Sequence, residues 1–291
     1  MKHIPVLLQP VLDELGDIKG KRILDATFGA GGYSRAFLER GANVVAFDRD
    51  TTVLQDVNKI IAEYPNQFTF IQKTFSNISN LTDTFDAIVF DLGISSMQID
   101  NPERGFSFRA DAPLDMRMSG DGISAVDLIK NSSVQELANI LKKYGDVNKA
   151  NVIAKAIHDT QPQTTFELKN LIYNPRDVAP VFQALRIAVN DELGEIERAL
   201  YSVPKLLNQN GKCIVVTFHS IEDRLVKNIL KEFTTPVGNP KLPTIKAPDF
   251  VLLKPQTPNE QELEYNPRAR SAHLRGVLKN HIDPNDKFNV N

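Results

Sequence analysis

The sequence has very little cysteine and no long apolar run, and both absences restrict the kind of protein it can encode. Its one cysteine, Cys213, excludes an intrachain disulfide framework and a cysteine-based metal site, and we expect it to be a small core residue. No run of apolar residues is long enough to cross a membrane, and the N-terminus has no signal-peptide pattern. We therefore expect a cytoplasmic protein without a membrane partner.

An excess of either charge is also missing. The formal net charge is −2 over 291 residues, which argues against a protein that coats nucleic acid with its whole surface but leaves a local basic face open. Hydrophobic residues make up 42% of the chain and charged residues 24%, as in ordinary globular proteins. The length fits one large domain, or one core domain that carries an insertion.

The stretch from Arg22 to Leu38 contains the strongest local signal. An apolar run that ends at Asp25 is followed by three glycines, Gly29, Gly31 and Gly32, and then by an apolar pattern with helical spacing. This order predicts a strand, a tight glycine turn and a helix. Because glycine has no β-carbon, a ligand can lie against the main chain at the start of that helix.

An acidic residue one βα unit later indicates what the ligand is. The second predicted strand, Asn43–Phe47, ends at Asp48, and an acid at this position typically receives the two hydroxyls of a ribose. A dinucleotide site needs glycine or alanine at the sixth position of G-x-G-x-x-G, where Ser34 stands. Asp25 before a compact Gly29-x-Gly31-Gly32 turn instead favours S-adenosylmethionine, as in class I methyltransferases.

The coarse pattern of the chain predicts an α/β fold. Strand and helix patterns alternate up to Asp91, as in a doubly wound, mostly parallel sheet. A fifth buried strand is predicted at Lys212–Phe218. Phe250–Lys254 and Ala272–Leu278 are predicted to pair as antiparallel strands at the end of this sheet.

The sheet pattern is interrupted in the middle of the chain. Leu92–Gly122 has no lasting periodicity, and a loop of this length usually carries function. From about Ser124 to Tyr173 the pattern is helical throughout, and Pro180 can open the next helix at its first turn. We therefore predict a core domain formed by residues 1–105 and 181–291, and an all-α insertion domain formed by residues 106–180.

Seven motifs, taken together, resemble one known family. They are His3–Leu8, the glycine turn, Phe75–Asn77, Asp91–Met118, Phe182–Asn190, Phe218–Arg224 and Asn266–Ala272. The chain resembles the MraW/RsmH family, the methyltransferases that modify N4 of a cytidine in small-subunit ribosomal RNA. The resemblance covers nearly the whole chain and implies a Rossmann-like class I S-adenosylmethionine-dependent methyltransferase fold with a helical insertion domain.

The resemblance also implies which residues bind the cofactor. By motif position these are Gly31, Gly32, Tyr33, Asp48, Phe75, Asp91 and Gln98. Asp48 would hold the ribose and Phe75 would lie against the adenine, which needs an apolar wall. Asp91 is in addition our candidate catalytic residue, because a carboxylate at the end of the fourth strand can orient the substrate amine. No metal ion is required.

The implied substrate is ribosomal RNA, within an assembled or nearly assembled small subunit, and a homodimer is left open. Loop and C-terminal arginines are candidates for a phosphate-binding rim, namely Arg104, Arg109, Arg117, Arg268, Arg270 and Arg275. Each of them could equally be solvated. Phe106 or Phe108 could stack an unpaired base, although Phe108 could instead anchor the loop. His219, at the end of the fifth predicted strand, is interpreted as a pocket wall, with a polar cap as the alternative.

Several positions depart from the family pattern. Tyr33 stands where the family has histidine and Gln9 where it has glutamate, and Ser119 follows Met118 where aspartate is expected. The segments 145–150 and 174–180 also differ, which puts substrate contacts in the insertion in question. Two other functions stay open. The departures at Tyr33 and in the insertion leave room for a ribosome-assembly factor that has lost turnover. A nicotinamide-dependent oxidoreductase would use the same glycine turn and Asp48, but Ser34 and the C-terminal strand pair disfavour it.

Overall fold

A computed structural model describes residues 5–236 and 248–280, except for the side chains of Ser96 and Met97. His3 and Ile4 of the N-terminal motif lie outside the described residues. The chain divides into two compact units. The first unit contains the residues up to Gly93 and those from Gly194 onward, and the second unit is Ile94–Leu193.

A seven-stranded sheet within the described residues forms the centre of the first unit. Its strands are β1 (Arg22–Asp25), β2 (Asn43–Asp48), β3 (Phe68–Gln72), β4 (Phe85–Asp91), β5 (Leu207–Thr217), β6 (Phe250–Leu252) and β7 (His273–Lys279). The strand order is β3-β2-β1-β4-β5-β7-β6. Strands β1 to β5 are parallel, and β7 lies antiparallel between β5 and β6. This is the Rossmann-like sheet of class I methyltransferases, so the predicted fold and its final strand pair are confirmed.

The helices follow in chain order. Those of the described residues are α1 (Leu8–Leu15), α2 (Gly32–Leu38), α3 (Leu54–Glu63), α4 (Ser96–Asp100), α5 (Ala125–Asn131), α6 (Val134–Gly145), α7 (Ala150–Thr160), α8 (Thr165–Asn170), α9 (Pro175–Asn190), α10 (Glu192–Leu200), α11 (Val203–Leu206), α12 (Ser220–Phe233) and α13 (Glu260–Tyr265). Short 3₁₀ turns cover Thr51–Val53, Phe75–Asn80, Pro102–Arg104 and Pro267–Ser271. Among these residues no helix is both long enough and apolar enough to span a bilayer.

The second unit, Ile94–Leu193, extends beyond the predicted insertion of residues 106–180 at both ends. Helix α9 begins at Pro175, where the Asn174 side chain caps it, and it runs through Pro180 to Asn190. Its buried face, which includes Phe182 and Leu185, belongs to the core of the helical unit. Pro180 therefore lies inside a helix and does not mark the end of the unit.

The loop before α5 also belongs to the helical unit. Phe106, Leu114, Met116 and Met118 are buried in the same core as the helices. The Asn190 side chain fixes the loop, because its Nδ2 donates to the Met116 carbonyl (2.7 Å) and its Oδ1 accepts from the Met118 N–H (2.8 Å). The part of the segment that follows α4 and the 3₁₀ turn thus has no further helix or strand, and side-chain bonds to its backbone help to order it.

Candidate active site

Three aspartates lie at the carboxyl ends of neighbouring parallel strands. Asp25 ends β1, Asp48 ends β2 and Asp91 ends β4. The registers align Asp25 with Ala46 of β2 and with Val89 of β4. Ligands bind at this edge in open parallel sheets because the connecting loops leave a crevice there. The topology therefore brings the predicted acidic residues to one edge of the sheet.

Asp25 is the most deeply buried of the three. Its side chain is fully buried and accepts a hydrogen bond from Ser34 Oγ (2.6 Å) and a longer one from the Thr27 N–H (3.3 Å). The pKa of Asp25 is raised to about 6: burial is the largest cause, the hydrogen bonds oppose the rise, and the nearby Asp48 charge adds to it. Ser34, which departs from the dinucleotide pattern, thus holds the carboxyl group that precedes the glycine turn.

Asp48 holds the glycine turn itself. Its Oδ2 accepts from the Gly29 N–H (2.8 Å) and its Oδ1 from the Asp50 N–H (2.9 Å). Burial raises its pKa, and these two hydrogen bonds oppose the rise. Each carboxylate oxygen has a second lone pair, so both can still accept from a ligand hydroxyl. The assignment of Asp48 to a ribose stays a prediction with this geometry in its favour.

Asp91 is fixed through its backbone, whereas its side chain has a buried oxygen without a partner. The Asp91 N–H donates to Thr27 Oγ1 (2.6 Å), which ties the end of β4 to the turn after β1. Its Oδ1 is buried and has no hydrogen-bond partner among the described residues. Burial raises the pKa of Asp91 well above its usual range, and the charges of Asp25 and Glu222 add to this effect. A buried oxygen of this kind needs a proton of its own or a donor, and a ligand is one source of that donor.

The glycines of the turn are required for different reasons. Gly31 has φ 75° and caps α2, and a β-carbon there would lie 2.7 Å from the Phe28 ring. A β-carbon on Gly32 would lie 2.3 Å from Cγ of Pro5. Gly29 has φ 54°, and a β-carbon there would meet no heavy atom of the described residues within 4 Å. Open space therefore adjoins the backbone at Gly29, whereas Gly31 and Gly32 accommodate protein atoms.

The Tyr33 side chain contacts the N-terminal segment. The ring is buried beside Phe37, with their centroids 6.0 Å apart, and its hydroxyl donates to the Val6 carbonyl. The side chain is therefore committed to the N-terminal segment. If Tyr33 contacts a cofactor as predicted, its backbone is the group that remains to do so.

Phe75 and Gln98 have different local environments. Phe75 is half-buried at the start of a 3₁₀ turn and meets Phe90 edge to face, with ring centroids 6.0 Å apart. Gln98, in the helical unit, forms a capping box with Ser95. Its Oε1 accepts from the Ser95 N–H (3.0 Å), and its own N–H donates to Ser95 Oγ (3.2 Å). The cofactor roles of both residues stay predictions.

His219 caps the helix that follows β5. Its Nδ1 accepts from the Glu222 N–H (3.3 Å), and its Nε2 lies 3.1 Å from Oε1 of Glu222. Because Nδ1 accepts, the ring proton belongs on Nε2. Oε2 of the fully buried Glu222 accepts from the Phe218 N–H (3.0 Å). The cap alternative thus describes Nδ1 of His219. Its Nε2 is buried and has no hydrogen-bond partner among the described residues, so the role of the ring as a pocket wall stays a prediction.

Glu222 and Thr27 are site residues that the sequence reasoning missed. Glu222 is the third residue after the His219 cap, a spacing typical of side chains that contact the start of a helix. That spacing could have identified it. Thr27 had no comparable signal, since its hydroxyl bonds to the backbone of a residue 64 positions away.

Known proteins share the sequence that builds this arrangement of turn, strands and acids. Residues 1–280 match the model of the MraW methylase family. The chain belongs to this family. A relative from Rhizobium etli, named ribosomal RNA small subunit methyltransferase H, is 44% identical over 96% of this chain and 88% of its own. Proteins of the same name from Gluconobacter oxydans (44% identical, 96% and 93% covered) and Zymomonas mobilis (42%, 95% and 90%) are similar to it.

Several of the predicted RNA contacts of this MraW-family methylase are internal. The Arg104 guanidinium donates to the carbonyls of Arg117 (2.9 Å) and Met118 (2.8 Å). Arg117 itself makes a two-pronged ion pair with Asp115. Phe106 is buried in the helical core. Each of these side chains stabilises the loop. The burial of Phe106 argues against base stacking in this conformation, whereas the RNA contacts of Arg104 and Arg117, which are only partly buried, stay predictions.

Other candidates face solvent. Arg109 is exposed in the helical unit, and Arg268 and Arg270 are exposed beside α13 in the first unit. Phe108 packs against Phe182, with ring centroids 5.3 Å apart, so its anchoring alternative describes it. Arg275 makes a bidentate ion pair with Asp223 (2.6 and 2.7 Å). Arg109, Arg268 and Arg270 thus stay predicted phosphate contacts.

The replacement Asp25→Asn should change how stability depends on pH. The folded wild type keeps the Asp25 proton up to about pH 6, whereas the unfolded chain releases it near 3.8. The contribution of Asp25 to stability is therefore full below pH 3.8 and is lost as the pH rises through 6. The loss amounts to about 3 kcal/mol, since one pKa unit corresponds to about 1.4 kcal/mol.

Urea denaturation between pH 4 and pH 7 measures this effect. The free energy of unfolding of Asp25→Asn, minus that of the wild type, should increase with pH over this range. Ser34→Ala removes a hydrogen bond that favours the ionised form, so it should move the range of loss to higher pH. A difference between Asp25→Asn and the wild type that does not vary with pH would contradict the assignment.

Proposed function

We propose that this methylase transfers a methyl group from S-adenosylmethionine to the exocyclic N4 of a specific cytidine in small-subunit ribosomal RNA. Membership of the MraW methylase family supports methyl transfer, and the names of its relatives support the ribosomal RNA of the small subunit as substrate. The observation that carries the proposal is the buried Oδ1 of Asp91, which has no partner among the described residues at the ligand-binding edge of the sheet.

The residues at this edge fit S-adenosylmethionine. When bound, this cofactor supplies an electrophilic methyl group on a sulfonium cation. Asp48 offers two oxygens to the ribose hydroxyls, and the half-buried Phe75 offers an apolar face to the adenine. The turn beside Gly29 leaves space for a ligand against the backbone. The Asp91 carboxylate suits the cationic sulfonium of the cofactor, because a negative and a positive charge at short range attract each other and keep the acid ionised.

The raised pKa of Asp91 gives this residue a second use. Without a ligand, burial and two neighbouring acids favour its neutral form. A donor or cation placed against Oδ1 favours the ionised form instead. Asp91 can then accept a hydrogen bond from the cytidine amine, localise the N4 lone pair and orient it. Orientation of this kind contributes roughly 7–11 kcal/mol in favourable intramolecular reactions.

The substrate base must leave its stack to reach this edge of the sheet. Exposed arginines can hold the flanking phosphates without reading the sequence, whereas the site itself recognises the cytidine. We propose an assembled or nearly assembled small subunit as the substrate, as the family resemblance implies. A homodimer and a cytoplasmic location stay predictions.

The first experiment supplies tritiated S-adenosylmethionine and small subunits that lack the modification. We expect label in N4-methylcytidine with the wild type, and a loss of about 10²-fold or more with Asp91→Asn, which keeps the shape but not the charge. Asp17→Asn, at an exposed position in a turn, is the matched control and should retain activity.

Any other result would contradict a particular part of the proposal. Label in another nucleoside would keep methyl transfer but contradict the cytidine N4 assignment. Cofactor binding without any label would favour an assembly factor that has lost turnover. Full activity of Asp91→Asn would contradict the role of Asp91.

The arginine candidates can be separated by the salt dependence of RNA binding. Arg109→Ala, Arg268→Ala and Arg270→Ala should each weaken binding and lower the slope of log K against log salt concentration by about 1. Arg104→Ala should instead lower the stability of the fold, because its guanidinium bonds to two carbonyls. Lys130→Ala, also exposed in the helical unit, is the control. Equal slopes for the wild type and all three variants would remove these residues from the interface.

A further inference from the structure

The N-terminal segment Pro5–Leu7 packs directly against the start of α2. The Pro5 ring occupies the space that a β-carbon on Gly32 would need. The Tyr33 hydroxyl donates to the Val6 carbonyl. Two consecutive residues of the glycine-turn region are therefore in contact with this segment, and the position of the segment constrains theirs.

The segment itself is held in a costly conformation. Leu7 has φ 54° and ψ 27°, the left-handed region that a residue with a β-carbon rarely adopts, and it is fully buried. Such a conformation persists only where the surroundings enforce it. Here the Leu7 N–H donates to Oε1 of Glu262 (2.6 Å), and the Leu7 carbonyl accepts from the Val11 N–H in the first turn of α1.

Glu262 belongs to α13, near the other end of the chain. Its side chain is buried, and its own N–H donates to the Oδ1 of the helix cap Asn259 (2.8 Å). The carboxyl group of Glu262 is thus fixed by a short helix and used on the backbone of a residue 255 positions away. A hydrogen bond from an amide to a carboxylate is short and strong compared with a neutral one.

We propose that Glu262 is a positioning residue for the cofactor. It acts through Leu7 and the Pro5–Val6 contacts, and it keeps Gly31, Gly32 and Tyr33 in the arrangement that binds S-adenosylmethionine. This inference rests on the proposed function for the identity of the cofactor. Glu262 itself does not need to touch the ligand.

The electrostatics of Tyr33 agree with this network. Burial raises the pKa of Tyr33, and the charges of Asp91, Asp25 and Glu262 raise it further. The Tyr33 hydroxyl therefore keeps its proton over the working pH range and remains a donor to Val6. Glu262 is close enough in space to influence the residue that links the segment to α2.

Three variants of α13 test the proposal. Glu262→Leu removes the acceptor, Glu262→Gln keeps a carbonyl oxygen in its place, and Glu264→Gln makes the same charge change at an exposed position of the same helix. We expect Glu262→Leu to raise both the KM and the Kd for S-adenosylmethionine by about tenfold, with kcat at saturating cofactor changed by less than about threefold. Glu262→Gln should restore most of the affinity, and Glu264→Gln should match the wild type.

Hydrogen exchange of the ligand-free protein gives a readout that needs no cofactor. The amide of Gly31 donates to the Phe28 carbonyl, and that of Arg35 donates to the Gly31 carbonyl. In Glu262→Leu the amides of residues 7, 31 and 35 should exchange faster, while those of β4 should keep their protection. A merely structural role would accelerate exchange throughout the first unit and lower kcat as well. Unchanged exchange at residues 31 and 35, together with unchanged cofactor affinity, would overturn the proposal.

Tyr33→Phe keeps the proposal testable if Glu262→Leu does not fold. It removes the bond to Val6 but keeps the ring, so it should weaken cofactor binding in the same way.

Where both variants fold, their combined loss of affinity should be smaller than the product of the two single losses, because both act through one segment. A fully multiplicative loss would contradict the shared route. If the wild type bound no S-adenosylmethionine, the proposed function would fail. The exchange result would still show whether the bond between Glu262 and Leu7 positions the start of α2.

Discussion

The accumulation of acid at the carboxyl ends of β1, β2 and β4 is the constraint on which the first unit depends. Asp25, Asp48 and Asp91 all have raised pKa values, and burial is the largest cause for each. Such a cluster opposes folding wherever its members are ionised. The surrounding groups reduce that cost: Ser34 donates to Asp25, and the Gly29 and Asp50 amides donate to Asp48. Of these three acids, Asp91 keeps a buried oxygen without a partner among the described residues. This oxygen is the acceptor that we assign to a cationic ligand.

The glycine turn is held from both sides. Asp48 bonds to the backbone at Gly29, and the Pro5–Leu7 segment covers Gly32 and Tyr33. The segment in turn depends on Glu262 for its left-handed residue. A loop that binds a ligand through its backbone needs such support, because glycine gives up more conformational freedom on ordering than any other residue. Residues far apart in sequence thereby contribute to one local geometry.

The sequence predicted the sheet and the turn because each has a local signal. Apolar strands alternate with helical patterns, and Gly29, Gly31 and Gly32 come between a strand and a helix. The ends of the helical unit were not predictable in this way. Met116 and Met118 enter its core from a loop without periodicity, and α9 runs through a proline that the pattern interprets as a helix start. Tertiary contacts, rather than local preference, decide both.

The sequence predicted the positions of the acids better than the contacts of the arginines. The positions of Asp48 and Asp91 follow from strand ends, which are visible in the sequence. Arg104 bonds to carbonyl groups of its own loop, and a loop arginine used in this way looks the same in sequence as one that binds phosphate. Long-range bonds such as that from Leu7 to Glu262 leave no local pattern at all.

Proton release on cofactor binding tests the central claim most directly. Calorimetric titration with S-adenosylmethionine at several pH values between 5 and 8, repeated in buffers of different ionisation enthalpy, measures the protons released per site. Burial raises the pKa of Asp91, and a cationic ligand favours its charged form, so binding should release protons in this range. Asp25 and Asp48 also have raised pKa values, and comparison with Asp91→Asn separates their release from that of Asp91. We predict one-site binding with a release that is smaller in Asp91→Asn, and no binding of NAD⁺. Binding of NAD⁺ instead, or equal release by the wild type and Asp91→Asn at every pH, would contradict the claim.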